Sequence, residues 1–278
     1  MKKLFSLCLL ICLWLPLCAF TSVTTGTIAY RSGAVCEVVS LKYTQDDALN
    51  IGQTFSNLDL RLKSLAQVEE LAVKSKLLES LANAPNISVQ EVAEKISVDV
   101  GVIDGDGFGT FSVVITYENK DVWNLFQTQV QSNTTSTLEE SLFIKKYTTT
   151  SPVRLAVFDT LGEKKNLYQF VLSDIKSRLS GFYGDVESIF DGQYSYTYAS
   201  SIARLHTDAD KVETSPDTNL VYYTWNFADT EDAKITLWQL RPNATTWYVL
   251  ALILTAGFGL GLWIASKKKT KKQTEENL

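Results

Sequence analysis

Histidine is almost absent from this chain: its 278 residues include one, His206. Serine or cysteine nucleophiles need a base beside them, and His206 would have to supply it. No G-x-S-x-G elbow, H-E-x-x-H, CxxC or phosphate-binding P-loop accompanies it. Cysteine is nearly as scarce. Of the four present, Cys8, Cys12 and Cys18 lie near the N-terminus and only Cys36 lies further on. Once a leader is removed, one thiol remains, which excludes an intrachain disulfide framework. Among Ala34, Val35, Val38 and Val39, Cys36 is expected to be a small buried core residue. A basic surface is also missing. The chain has 26 basic and 31 acidic residues, with Lys2 and Lys3 at one end and Lys267, Lys268, Lys269, Lys271 and Lys272 at the other. The stretch between is therefore distinctly acidic, which excludes nucleic acid as a partner.

Hydrophobicity is present in two concentrated runs. Met1-Lys2-Lys3 leads into Leu4 to Leu15, with Pro16 and Ala19 following. A positive start, a short apolar run and a small residue are the parts of a secretory signal peptide. Cleavage before Phe20 would make residues 1–19 the leader. The alternative, acylation of Cys18, meets a bulky Leu17 where a lipoprotein signal has a small residue. The second run, Trp247 to Ala265, has no charged residue. At 1.5 Å per residue it crosses about 30 Å of hydrocarbon. Trp247, Tyr248 and Trp263 mark its two interfaces, and Lys267, Lys268, Lys269, Lys271 and Lys272 follow. Dense positive charge stays on the cytoplasmic side. The expected organisation is thus a signal peptide (1–19), an extracytoplasmic domain (20–246), a transmembrane helix (247–265) and a cytoplasmic basic tail (266–278), with the lipid bilayer as partner of residues 247–265. Gly257 and Gly261, four apart, would let a second helix come close.

The exposed domain alternates hairpins and helices. Thr27–Tyr30 and Val35–Tyr43 read as hairpin arms around Arg31-Ser32-Gly33. A long helix is expected from about Asp46 to Asn83, with Leu58, Leu62, Leu65, Val68, Leu71 and Leu78 on one face. Ser88 is the expected N-cap of a short helix holding Val89, Val92 and Ile96, with Glu91 as its capping-box partner. A second hairpin, 97–103 and 110–117, turns at Asp104–Gly107, and a helix is expected over 120–131. Strands at 141–149 and 153–158 precede a helix over 165–179 that Gly181 would stop. Leu220–Phe227 and Ala233–Leu240 read as a last hairpin. Strands and helices mixed in this way predict an α+β fold with largely antiparallel sheet.

Four patterns are candidates for chemistry. Tyr194, Tyr196 and Tyr198 recur at period two and, with Trp225, Phe227 and Trp238, would either line a groove for an apolar or carbohydrate ligand or fill a sheet core. His206, Asp208 and Asp210 would face one ion on an extended chain, or else form a polar loop. Asp104-Gly105-Asp106-Gly107-Phe108-Gly109 lacks the ligand series of a calcium loop and reads as a tight turn. Asn86, Asn133 and Asn243 begin glycosylation sequons, which matter only in a host with an endoplasmic reticulum. No catalytic residue and no cofactor is expected.

The segment Arg204 to Val212, then Tyr223-Thr224-Trp225-Asn226-Phe227, then Pro242-Asn243 and Trp247-Tyr248, resembles a group of bacterial envelope proteins with a signal sequence, an α+β domain and a C-terminal anchor. Through them it is distantly similar to the mycobacterial LppM-like lipoproteins. That resemblance implies an apolar cavity for envelope lipids. The chain differs from that group in its weak lipobox and its long first helix. The functions expected are a membrane-anchored extracytoplasmic binding or interaction protein, an accessory subunit of a membrane complex, or a cell-envelope hydrolase.

Overall fold

The N-terminal strand of the domain lies in the middle of its main sheet. In the computed structural model, which describes residues 22–81, 87–127, 133–160, 163–190, 193–201, 206–227 and 233–275, β1 (Ser22–Ala29) and β2 (Val35–Thr44) form the first expected hairpin, with Gly33 at φ +92° in the turn. Next come α1 (Gln45–Asn50), α2 (Phe55–Leu81), α3 (Val89–Glu94), β3 (Ile96–Asp104), β4 (Phe108–Tyr117) and α4 (Lys120–Leu125). They are followed by β5 (Thr135–Glu140), β6 (Ile144–Pro152), β7 (Val157–Thr160), β8 (Glu163–Asn166), α5 (Leu167–Tyr183), β9 (Gln193–Ser200), β10 (His206–Thr207), β11 (Lys211–Ser215), β12 (Leu220–Phe227), β13 (Lys234–Pro242) and α6 (Ala244–Glu275). The class is α+β with largely antiparallel sheet, as expected.

The chain divides into two units, residues up to 135 with 150–236, and residues 136–149 with 237 onward. The first holds a sheet of order β11-β12-β9-β1-β2-β4-β3. Its pairs are antiparallel except β1 with β9, which run parallel from Ser22 opposite Gln193 to Ala29 opposite Ser200. One face carries Leu41, Phe111, Val113 and Tyr196, all buried, and α2 and α5 pack on that side. The other face holds a cluster of Ile28, Cys36, Val38, Val114, Ala199 and Leu220. Cys36 is buried there, as its apolar neighbours predicted. Hydroxyls pair across this face: Ser40 with Ser112 at 2.9 Å, Ser195 with Thr24 at 3.3 Å, and Thr197 with Thr224 at 3.0 Å.

Local chemistry explains where the helices begin and end. Thr44 and Asp47 form a reciprocal capping box on α1, as Asn166 and Gln169 do on α5, each satisfying two orphan N–H groups. The helix expected over 46–83 is broken, because Gly52 adopts φ +69° between α1 and α2; the expected end at Asn83 lies outside the described residues. In α2 the buried stripe runs through Leu58, Leu62, Leu65, Glu69, Val73, Leu77 and Leu81. Leu71 is 71% exposed and Val68 44%, because a stripe at 3.6 residues per turn passes through 69 and 73 instead. Ser88 caps α3 by accepting from the Glu91 N–H, but Ile96 opens β3. The helix at 120 ends at Leu125, and α5 continues through Gly181 to Gly184, which caps it at φ +80°.

Two strand assignments are corrected. Residues 135–140 form β5, and 153–156 lie outside any strand. The expected hairpin of 220–227 with 233–240 does not form. β12 pairs with β9 and β11, whereas β13 belongs to the sheet of order β10-β13-β6-β5. Both strands alternate well, and alternation does not name a partner.

The Asp104–Gly109 run is a turn. Gly107 takes φ +77°, and a Cβ on Gly109 would lie 2.2 Å from the Tyr43 ring. The second unit consists of most of the β5–β6 hairpin, the later part of β13, and α6. One helix in the described residues is long and apolar enough to cross a membrane, Ala244–Ala265, with none of its most apolar window buried. Its Thr255 hydroxyl donates to the Ala251 carbonyl at 2.6 Å, so this polar group is satisfied within the helix.

Candidate functional site

The period-two tyrosines share one face of β9 because successive strand residues point to opposite sides. Tyr194 lies opposite Phe227 of β12, Tyr196 opposite Trp225, and Tyr198 opposite Tyr223. The rings touch: Tyr194 and Phe227 have centroids 5.8 Å apart, and Tyr196 and Trp225 5.9 Å. Tyr168 of α5 closes on Tyr194 at 4.7 Å. All five expected residues are therefore brought into one aromatic patch. Within it Tyr194, Tyr196 and Trp225 are buried, while Tyr198 and Phe227 are half-buried. Burial pushes the Tyr194 and Tyr196 hydroxyls above the ordinary tyrosine value. The Tyr194 hydroxyl shares a hydrogen bond with Thr25 at 3.0 Å.

The other expected cluster adjoins this patch through one indole. Trp225 donates its Nε1–H to Asp208 Oδ1 at 2.7 Å, and the same oxygen accepts the Thr236 N–H at 3.0 Å. Asp210 accepts the backbone N–H of Asn226 at 2.7 Å. His206 is exposed on β10. The two carboxylates are thus each turned toward β12 or β13 donors. Among the described residues no group of three or more His, Cys, Asp or Glu side chains is placed to hold a metal ion.

A constellation that the sequence analysis passed over lies on the same sheet face. Thr27 of β1 stands opposite Tyr198 on one side and Glu37 of β2 on the other. Glu37 is wholly buried. Its carboxylate accepts from Trp123 Nε1 at 2.5 Å, Ala156 N at 2.9 Å, Gln127 Nε2 at 3.1 Å and the Tyr117 hydroxyl at 3.2 Å. Burial pushes its pKa up to about 7, against the opposing pull of the four donors. Thr27 donates to the Arg154 carbonyl, and the Arg154 guanidinium lies 5.8 Å from the Tyr198 ring centroid. Segment 153–156 is thereby fastened over the sheet beside the aromatic patch. A charged residue inside the apolar run Val35–Leu41 was the signal available in the sequence.

Trp238 lies on β13, with Lys146 Nζ 5.7 Å from its ring centroid. Gly257 and Gly261 lie on the exposed helix α6, where an added Cβ would meet nothing within 4 Å. Of the sequons, Asn86 lies outside the described residues, Asn133 is exposed, and Asn243 donates from Nδ2 to the Ser141 carbonyl at 3.1 Å.

No family model matches the chain, and none of the curated proteins does. Among solved structures, the NMR structure of the folded domain of the Mycobacterium tuberculosis LppM protein is similar: it is 10% identical and superposes with a TM-score of 0.29, over 82% of this chain and 93% of that one. The superposition is too loose to carry residues from one chain to the other.

Proposed function

We propose that this chain is a single-pass membrane protein whose α+β domain acts outside the cytoplasm as a binding or interaction module for an apolar or lipid ligand. The observation that supports it most is helix α6. All of its residues from Trp247 to Ala265 are exposed, and water is a poor solvent for such a surface. The lysines after it in sequence support a cytoplasmic tail, and the leader-like N-terminus supports export. Tyr198 and Phe227, half-buried beside the closed rings of Tyr196 and Trp225, offer apolar area where a ligand would bind.

Full-length protein in vesicles tests the anchor. Resistance to alkaline carbonate, together with tail lysines protected from protease outside intact cells, is the expected result; extraction or cleavage overturns it. Native mass spectrometry of the detergent-purified chain tests the ligand, with a co-purifying lipid that is lost in Tyr198→Ala as the supporting result.

A second reading, an accessory subunit of a membrane complex, is favoured by Gly257 and Gly261, which share one face of α6 and where an added Cβ would meet nothing within 4 Å. Such positions let helices approach closely. Crosslinking from Gly257→Cys to a stable partner would support it.

A further inference from the structure

Hairpin connections are normally built from residues such as Asn, Gly, Asp and Ser, which prefer water. The β5–β6 connection is Ser141-Leu142-Phe143, closed by Ser141 N–H to the Ile144 carbonyl at 2.9 Å. Leu142 is 67% exposed, Phe143 41% and Ile144 44%. Three consecutive exposed apolar side chains at a hairpin tip are costly in water and mark a surface suited to an apolar neighbour.

The loop is fixed to the start of α6. The Asn243 backbone N–H donates to the Phe143 carbonyl at 2.8 Å, and its side-chain amide to the Ser141 carbonyl at 3.1 Å. The Phe143 and Trp247 rings lie 5.8 Å apart. Trp247 opens the uncharged run, so Phe143 stands level with the start of the span. Charge is set back from the tip on both arms and neutralised there: Lys145 pairs with Glu140 at 2.7 Å and Lys146 with Glu139 at 3.4 Å.

We propose that the Leu142-Phe143 tip is a second membrane contact, inserting into the boundary between headgroups and acyl chains of the bilayer that α6 crosses. The inference rests on the reading of α6 as the anchor. Its occupant is lipid because the tip continues a surface that only lipid suits: Trp247 and Tyr248 on the helix, Leu142 and Phe143 on the hairpin, at one level. An anchor of this kind limits the swing of the hairpin about the helix axis and fixes the distance of β13 from the bilayer.

The test uses the full chain in phosphatidylcholine–phosphatidylglycerol vesicles, with Cys8, Cys12 and Cys18 replaced by serine and an environment-sensitive dye on Leu142→Cys. Phe143→Cys serves as a second variant, and Phe258→Cys as the reference for the span. The buried Cys36 is shielded from the dye. The expected result at position 142 is blue-shifted emission, loss of most iodide quenching relative to the dye on glutathione, and stronger quenching by lipid spin labels near the headgroups than by labels at the bilayer centre. Free quenching by iodide at 142 and 143, with 258 still quenched by the central label, overturns the tip contact alone. Shielding from both iodide and lipid labels shows a protein partner on the tip and also overturns it. A dye at 258 that iodide reaches overturns the anchor itself.

Discussion

Trp123 donates its indole N–H to Glu37 across 2.5 Å in the wholly buried interior of the first unit. The pair ties α4 to β2, and Glu37 also accepts from Ala156, so one carboxylate fixes two separate segments over the sheet.

The Glu37 pKa of about 7 stands above its ordinary 4.5. The folded state therefore holds a proton that the unfolded state releases. This contribution to stability is complete below pH 4.5 and is lost as pH rises through about 7. Glu37→Gln places an amide N–H2 among four donors, so at pH 5 it should cost about 1–3 kcal/mol. Between pH 5 and 8 the gap to the native protein should narrow, because only the native protein loses the Glu37 proton. Urea denaturation across that range checks the slope; parallel curves would refute the assignment.

Glu69 presents the opposite case. Its side chain is wholly buried, and neither carboxylate oxygen has a hydrogen-bond partner. Burial and the nearby Asp174 push its pKa up to about 9. Arg178 pairs with Asp174 at 2.5 Å and reaches Glu69 Oε2 only at 4.0 Å. Replacing a buried, poorly partnered carboxyl by an apolar residue of similar volume is neutral or favourable. Glu69→Leu should hold or raise stability at pH 8, by up to about 2 kcal/mol, measured by thermal or urea unfolding. A loss beyond about 1 kcal/mol, the typical cost of an ordinary substitution, would count against it.

Gly109 gives a steric test. Its missing Cβ leaves room for the Tyr43 ring, whose hydroxyl donates to Asp59 at 2.5 Å. Gly109→Ala should cost about 1–3 kcal/mol through overpacking. Gly101→Ala, with nothing within 4 Å of its new Cβ, should be neutral or stabilise by up to about 1 kcal/mol. Equal effects of the two substitutions would remove the steric account.

Within the aromatic patch, burial separates the roles. Tyr196→Ala should destabilise by about 3–5 kcal/mol, as other large buried rings do. Tyr198→Ala and Phe227→Ala should cost distinctly less, and any bound apolar ligand should be lost with them. Melting temperatures and native mass spectra of the three variants test both halves.

Much of this arrangement was legible locally. The turns at Gly33 and Gly107, the cap at Ser88 and the period-two tyrosines each follow from chemistry within a few residues. What escaped was non-local. The register of β1 on β9 joins segments about 170 residues apart in sequence, and the partners of β12 and β13 depend on which edge is free when each arrives. The site was half-legible for the same reason: alternation gathered five aromatic residues on two strands, but their closure by Tyr168 belongs to tertiary packing. Glu37 escaped because its donors come from β4, α4, Gln127 just beyond α4, and segment 153–156, none of them its neighbours in sequence.

The central position of β1 bears on how the nascent chain matures. β1 to β4 are complete early in synthesis, but the strand that covers β1's second edge, β9, emerges far later. Until then the growing chain displays a row of bare backbone donors and acceptors, the template on which stray strands aggregate. The pairing of β9 with β1 is the step that closes this edge.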